Sequence, residues 1–142
     1  MDSMSKESST TPDTSFDVII IGAGFSGIYM LYRMVNLGLK VRLLEEASGA
    51  GGTWYWNRYP GARCDIESME YSYSFSEQLQ QEWKWTDKYS SGPEILEYAK
   101  HVVERFDLSR FIAFDSRVAT ATYDENETTW DIELETGQRY HA

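Results

Sequence analysis

An apolar run that ends directly in Gly22-x-Gly24-x-x-Gly27 leaves this chain few folds to choose from. Phe16 to Ile21 (FDVIII) is short, apolar and β-branched, the pattern of a strand buried on both faces of a parallel sheet. The glycines follow at once. Ile28, Leu31, Tyr32, Met34 and Val35 then recur at helical spacing, and Gly38 stands where a helix would end. Leu39 to Leu44 (LKVRLL) reads as a second strand, closing on Glu45-Glu46. Strand, glycine turn, helix and strand in about 30 residues make one βαβ unit. In that setting the first glycine permits the tight turn and the second lets backbone approach a pyrophosphate. The third lets helix and strand pack closely. The helix then presents free N–H groups and its positive dipole end to phosphate.

An acid at the end of the second strand completes this fingerprint by binding a ribose hydroxyl. It also disfavours a 2′-phosphorylated cofactor. Glu45 stands 23 positions after Gly22, near the expected spacing, and directly follows the apolar run. It is preferred to Glu46, which remains the alternative.

Beyond this unit, residues 48–75 carry glycines, a Tyr-Pro-Gly turn and many aromatics, and are expected to be irregular. A loop of that length in a compact domain is usually functional. Ser91-Gly92-Pro93 opens a helix whose apolar stripe is Ile95, Leu96, Ala99, Val102, Val103 and Phe106. Phe111 to Tyr123 and Thr129 to Leu134 read as strands joined by a polar turn at residues 124–127. Gln138 to His141 starts another after Gly137. The fold class is therefore α/β, a Rossmann-like doubly wound domain with an irregular aromatic-rich loop and a small β-meander. Residues 1–15, rich in Ser, Thr and Asp, are expected to be a disordered tail, with order beginning at Phe16.

Composition narrows the partners. A net charge of −10 argues against a nucleic-acid backbone and against anionic membranes. No apolar run approaches the ~20 residues of a membrane span. Cys64 is the single cysteine, so neither an intrachain disulfide nor a multi-cysteine metal site is expected. The polar N-terminus has no signal or transit character, which makes the cytoplasm the expected location. Cys64 reads as a small buried side chain, Trp83 and Trp85 as packing residues, and His101 as a surface residue.

The most distinctive stretch is Gly51-Gly52-Thr53-Trp54-Tyr55-Trp56-Asn57-Arg58-Tyr59-Pro60-Gly61-Ala62-Arg63-Cys64-Asp65. Trp54 and Tyr59 can wall a flat ring, and Arg58 and Arg63 can meet phosphate or carboxylate oxygens. Asp65 can orient or deprotonate a group beside the ring. With EYSYSF, the fingerprint GAGFSG, the strand LLEEA and the segment EWKWTDKYSSGPEIL, this stretch resembles the Baeyer–Villiger monooxygenases, the class B flavoprotein monooxygenases. The likeness runs over residues 16–142.

The resemblance implies a partial FAD-binding domain over 16–142 and a chemistry in which NADPH reduces FAD, the flavin takes up O₂, and one of its oxygen atoms is inserted beside a ketone carbonyl while the other leaves as water. It implies that Gly22, Gly24 and Gly27 hold the FAD pyrophosphate and Glu45 the adenosine ribose. Gly52, Thr53, Trp54 and Arg58 would lie along the flavin. Asp65 matches an acid that pairs with an active-site arginine, and Val118 a strand position beside the adenine. Asp65, Arg58 and Tyr59 are the candidate catalytic groups.

The chain also departs from the family pattern. No second GxGxxG for NADPH follows Gly61, and no Phe-x-Gly…His…Trp signature is found. The family's catalytic arginine and its later Ala-Thr-Gly strand have no counterpart. The expectation is an FAD-binding portion, incomplete at its C-terminus, with no NADPH site and not competent alone for oxygen insertion. A free sheet edge would favour a homo-oligomer, a larger partner chain or marginal stability. The alternatives are a small non-redox cyclase or isomerase acting on a ketone or natural product through Asp65 and Tyr59, or a non-catalytic partner module.

Overall fold

The computed structural model of the protein describes residues 13–142. β1 (Val18–Ile21), α1 (Phe25–Asn36) and β2 (Val41–Leu44) build the expected βαβ unit, with β1 and β2 parallel from Val18 opposite Val41 to Ile21 opposite Leu44. Gly38 ends α1 in the left-handed region at φ 77°, its N–H donating to the Val35 carbonyl at 2.9 Å. Ile28 and Leu31 of α1 pack in the same core as Leu43 of β2, all fully buried. Each such side chain contributes about 2 kcal/mol by leaving water.

The chain reaches the sheet again at β3 (Ile112–Ala113), parallel to β2, so the strand order is β1-β2-β3. Among the described residues, β1 has no strand on its outer edge. The single strand expected over Phe111 to Tyr123 is two strands in two sheets. Asp115, at φ 52°, turns the chain out of β3 and into β4 (Val118–Asp124). Aspartate tolerates this left-handed conformation better than most residues. β4, β5 (Thr129–Leu134) and β6 (Arg139–His141) form the antiparallel meander. Its first turn is fixed by Asp124, whose Oδ1 accepts the N–H of Asn126 at 2.8 Å. Pairing also runs upstream of Phe16, since the His141 N–H donates to the Thr14 carbonyl at 2.8 Å. The disordered tail expected at the N-terminus lies, through residue 12, outside the described residues.

Three α-helical pieces and a 3-10 turn at Ser68–Tyr71 fill the middle of the chain. The loop expected to be irregular contains a one-turn helix, α2 (Thr53–Trp56), because the Trp56 and Asn57 N–H groups reach back to the Gly52 and Thr53 carbonyls. α3 (Glu77–Glu82) starts at Ser76, whose hydroxyl accepts the Leu79 N–H at 3.2 Å. α4 (Gly92–Arg105) buries Ile95, Ala99, Val102 and Val103 as its stripe predicts, and Tyr98 as well. No helix among the described residues is long and apolar enough to cross a membrane.

The aromatics close over Tyr98. Trp83 and Trp85 lie with ring centroids 5.2 and 5.0 Å from it, so both pack against the core as expected. His101 is half-buried rather than on the surface, because Trp83 folds over its ring at 5.3 Å. Tyr73 ties this cluster to the fingerprint turn. Its hydroxyl donates to the Phe25 carbonyl at 2.5 Å and its N–H donates to the Tyr98 hydroxyl at 2.8 Å.

Burial raises the Tyr73 phenol well above the ordinary tyrosine range, with the neighbouring Tyr98 adding to the shift, and burial raises Tyr98 too. Folding therefore holds both phenols neutral at a pH where an unfolded chain ionises them. Their contribution to stability is intact below about pH 10 and is lost as pH climbs above it. Denaturant midpoints between pH 9 and 11 are expected to fall with pH, and to fall less steeply in Tyr73→Phe. An equal slope in the variant would show that this phenol is not held neutral by the fold.

Candidate functional site

β1 and β2 are parallel, so both deliver their C-terminal residues to the same end of the sheet. Ligands of open α/β sheets bind at that end. β1 runs into the glycine turn and β2 into Glu45. The Gly22 N–H donates to the Leu44 carbonyl at 2.8 Å and Gly22 adopts φ 95°, which opens the turn toward α1. Gly27 does not line the space in front of this turn. A Cβ on Gly27 would fall inside the van der Waals envelope of the Gly22 carbonyl oxygen and 3.7 Å from Leu43 Cδ1, so this glycine seats α1 on the turn and on β2.

Glu45 is buried, at 4% exposure, and its two carboxylate oxygens divide their work. Oε2 accepts the Ala23 N–H at 2.5 Å and Oε1 the Ala47 N–H at 2.8 Å. The carboxylate thus stitches the exit of β2 to the fingerprint turn. A carboxylate has about four acceptor positions, so capacity for a ribose hydroxyl remains. Glu46 is exposed. It meets Arg117, whose Nε is 3.4 Å from Glu46 Oε2 and 3.5 Å from Glu135 Oε1.

The aromatic loop folds against the same turn. The Gly51 N–H donates to the Ala23 carbonyl at 2.9 Å. Gly52, at φ 55°, faces Gly24 so closely that a Cβ on it would stand 2.8 Å from the Gly24 Cα. The segment that follows β3, residues 116–118, supplies the opposite wall. The Glu45 N–H donates to the Ala113 carbonyl and the Ser116 N–H to the Glu45 carbonyl, at 2.9 and 2.8 Å, which brings Arg117 and Val118 alongside.

The result is a cleft of about 540 Å³ whose lining includes Gly22, Gly24, Glu45, Gly52, Thr53 and Val118. Glu46, the sequence alternative to Glu45, also lines it, together with Trp56, Asn57, Ser116 and Arg117, which were not singled out from the sequence. Only the adjacency of 116 and 117 to Val118 pointed toward the last two. The first turn of α1 carries no acidic residue, and no described side chain caps it. An uncapped helix start beside two facing glycine backbones suits a phosphate group.

The remaining candidates lie elsewhere. Trp54, Arg58 and Tyr59 line a separate groove of about 240 Å³ with Leu96 and Lys100. Arg58 donates from Nε to the Tyr55 carbonyl at 2.6 Å and lies 4.6 Å over the Tyr55 ring. Asp65 is exposed and lines neither space. Arg63 is paired with Asp87 at 3.2 Å. Cys64 is buried, its thiol 3.5 Å from the Ser90 carbonyl oxygen, which fits a packing role.

The fold is a Rossmann-like α/β domain, and residues 20–83 match the family model of the NAD(P)-binding Rossmann-like domain. The relatives give the finer class. The chain is 47% identical to a phenazine N-monooxygenase of Lysobacter antibioticus, over 91% of its own length and 24% of the relative. It is 42% identical to a Baeyer–Villiger monooxygenase of Pseudooceanicola batsensis, over 96% of its length and 25% of the relative. The solved structure of an oxidized steroid monooxygenase bound to NADP superposes with a TM-score of 0.89 at 54% identity, over 91% of this chain and 25% of that one. The chain is a homologue of the N-terminal part of Baeyer–Villiger and related flavin monooxygenases, and it spans about a quarter of the length of the relatives it matches.

Proposed function

We propose that this chain holds the adenosine and pyrophosphate portion of FAD in the cleft at the ends of β1 and β2, as the FAD-binding part of a Baeyer–Villiger-type monooxygenase. The observation that carries the reading is the joint lining of one cleft by the fingerprint glycines Gly22 and Gly24, the acid Glu45 and the loop residues Gly52 and Thr53.

In this reading the uncapped start of α1 faces the pyrophosphate, and the Gly24–Gly52 contact keeps that approach free of side chains. Glu45 accepts a ribose hydroxyl while holding the turn in place, and Val118 lies beside the adenine. Trp54 and Arg58 extend the site toward the flavin from the neighbouring groove. Tyr59 and Asp65 are the groups available at the surface for orienting a substrate or moving a proton. Bound FAD supplies the electron transfer to O₂ that a monooxygenase needs. The sequence contains one GxGxxG, so hydride delivery from NADPH is assigned to residues that these 142 do not include. The buried single thiol suits a reducing, cytoplasmic setting.

The test is titration of the purified chain with FAD, followed by flavin absorbance and fluorescence. Saturable binding is expected, and anaerobic addition of NADPH is expected to leave the bound flavin oxidised. Absence of FAD binding would sink the reading. Bleaching of the flavin by NADPH would overturn the assignment of hydride delivery elsewhere.

A further inference from the structure

Arg58 is held differently from most arginines of this chain. Acids outnumber bases by 23 to 13, and Arg63, Arg105, Arg110, Arg117 and Arg139 each lie within ion-pair distance of a carboxylate. Arg58 is exposed and meets Tyr55 instead, twice. Its Nε donates to the Tyr55 carbonyl at 2.6 Å, and its guanidinium lies 4.6 Å over the Tyr55 ring. Among the described residues its Nη groups have no acceptor. Tyr55 is itself braced. Its hydroxyl is 2.5 Å from Ser48 Oγ, and its N–H donates to the Gly52 carbonyl at 3.0 Å. Gly49 packs so closely on its ring that a Cβ there would stand 2.9 Å from Cε2. A planar cation on a fixed aromatic face has little side-chain freedom left to lose when it binds.

The groove that Arg58 lines has no acidic residue in its lining, and its other cation, Lys100, is paired with Glu97 at 2.8 Å. Asn57 lines both this groove and the larger cleft, so the two spaces adjoin at that residue. We infer that Tyr55 is a positioning residue for the cofactor: it fixes Arg58 so that the open Nη donors hold the flavin end of FAD, whose ring carbonyls and nitrogens are acceptors. The inference rests on the reading of the cleft as the FAD site, and it adds the residue that sets the hold on the far end of the ligand. A lysine at 58 would keep the charge and lose both the plane and the Nε bond.

The experiment compares binding of FAD and of ADP-ribose, which lacks the flavin, to the nucleotide-free chain by calorimetry. Wild type is expected to prefer FAD by about tenfold. Arg58→Met and Arg58→Lys should each lose about tenfold in FAD affinity while ADP-ribose changes less than about twofold. Tyr55→Leu should lose at least about threefold in the same selective way, and Tyr55→Phe, which keeps ring and carbonyl, should keep the wild-type preference. Tyr55→Leu combined with Arg58→Met should cost no more than Arg58→Met alone, because Tyr55 acts through Arg58. Arg58 is exposed, so its variants keep the test open should Tyr55→Leu fail to fold. A role for Tyr55 confined to folding would weaken both ligands together and add to the loss from Arg58. That result overturns the inference and leaves the FAD reading standing. So does an Arg58→Lys chain with the wild-type preference, or a wild type that binds both ligands equally. Binding of neither ligand by wild type overturns both.

Discussion

Gly27→Ala is expected to cost about 3 kcal/mol or more of folding stability. That corresponds to a fall in Tm of roughly 10 °C for a chain of this size. Two effects oppose each other. Alanine is the better helix former by about 1 kcal/mol, and Gly27 lies within α1. Its Cβ, however, would enter the Gly22 carbonyl oxygen, and the obstacle is backbone, not the end of a flexible side chain. The clash wins because relieving it moves the turn and the helix apart, which also withdraws the α1 N-terminus from the cleft. FAD affinity should fall together with stability. Gly38→Ala is the control: it has open space around its Cβ and only the strain of φ 77°, about 1–2 kcal/mol. Thermal denaturation of the two variants decides the matter. Equal losses would mean that close packing at Gly27 does not hold the turn.

Glu45→Ala is expected to destabilise the protein by about 3 kcal/mol, and Glu45→Gln by about 2 kcal/mol. The alanine leaves the Ala23 and Ala47 N–H groups without their acceptor. The glutamine keeps one oxygen but turns an amide N–H₂ toward a backbone donor. Both N–H groups belong to segments that shape the cleft, so FAD affinity should drop by at least tenfold in either variant. Glu46→Gln provides the comparison. Glu46 is exposed, and its ion pair with Arg117 is worth less than about 1 kcal/mol. Urea denaturation with FAD titration separates the cases. A stable Glu45→Gln that binds FAD as wild type does would remove Glu45 from both roles.

The elements legible in the sequence were those with their own punctuation. β1, α1 and β2 are bracketed by the fingerprint glycines, Gly38 and the acid pair. α4 carries Pro93 in its first turn and an apolar stripe, and β5 lies between two turns. What stayed hidden was too short to carry a period. β3 has two residues, α3 buries Leu79 alone, and α2 is a single turn made by backbone bonds to Gly52 and Thr53. The site divides in the same way. Gly22, Gly24 and Glu45 followed from spacing and chemistry, whereas Gly52, Thr53 and Val118 entered through family resemblance. Ser116 and Arg117 reach the cleft because the backbone of Glu45 pairs with residues 113 and 116. That pairing joins segments distant in the chain and leaves no local trace in either. Trp54, Arg58, Tyr59 and Asp65 stand together in sequence, but α2 and the turn after it direct them away from the cleft.

The contact of Gly24 with Gly52 bears on how such domains can be recombined. Gly52 is cast against the backbone of the phosphate turn: a methyl group on it would stand 2.8 Å from the Gly24 Cα, whereas one on Gly24 would meet the Gly52 Cα at an ordinary 3.7 Å. The demand for glycine therefore falls on the aromatic loop. A hybrid that borrows this loop from a relative must borrow one with glycine at this point, whatever residue the phosphate turn presents to it.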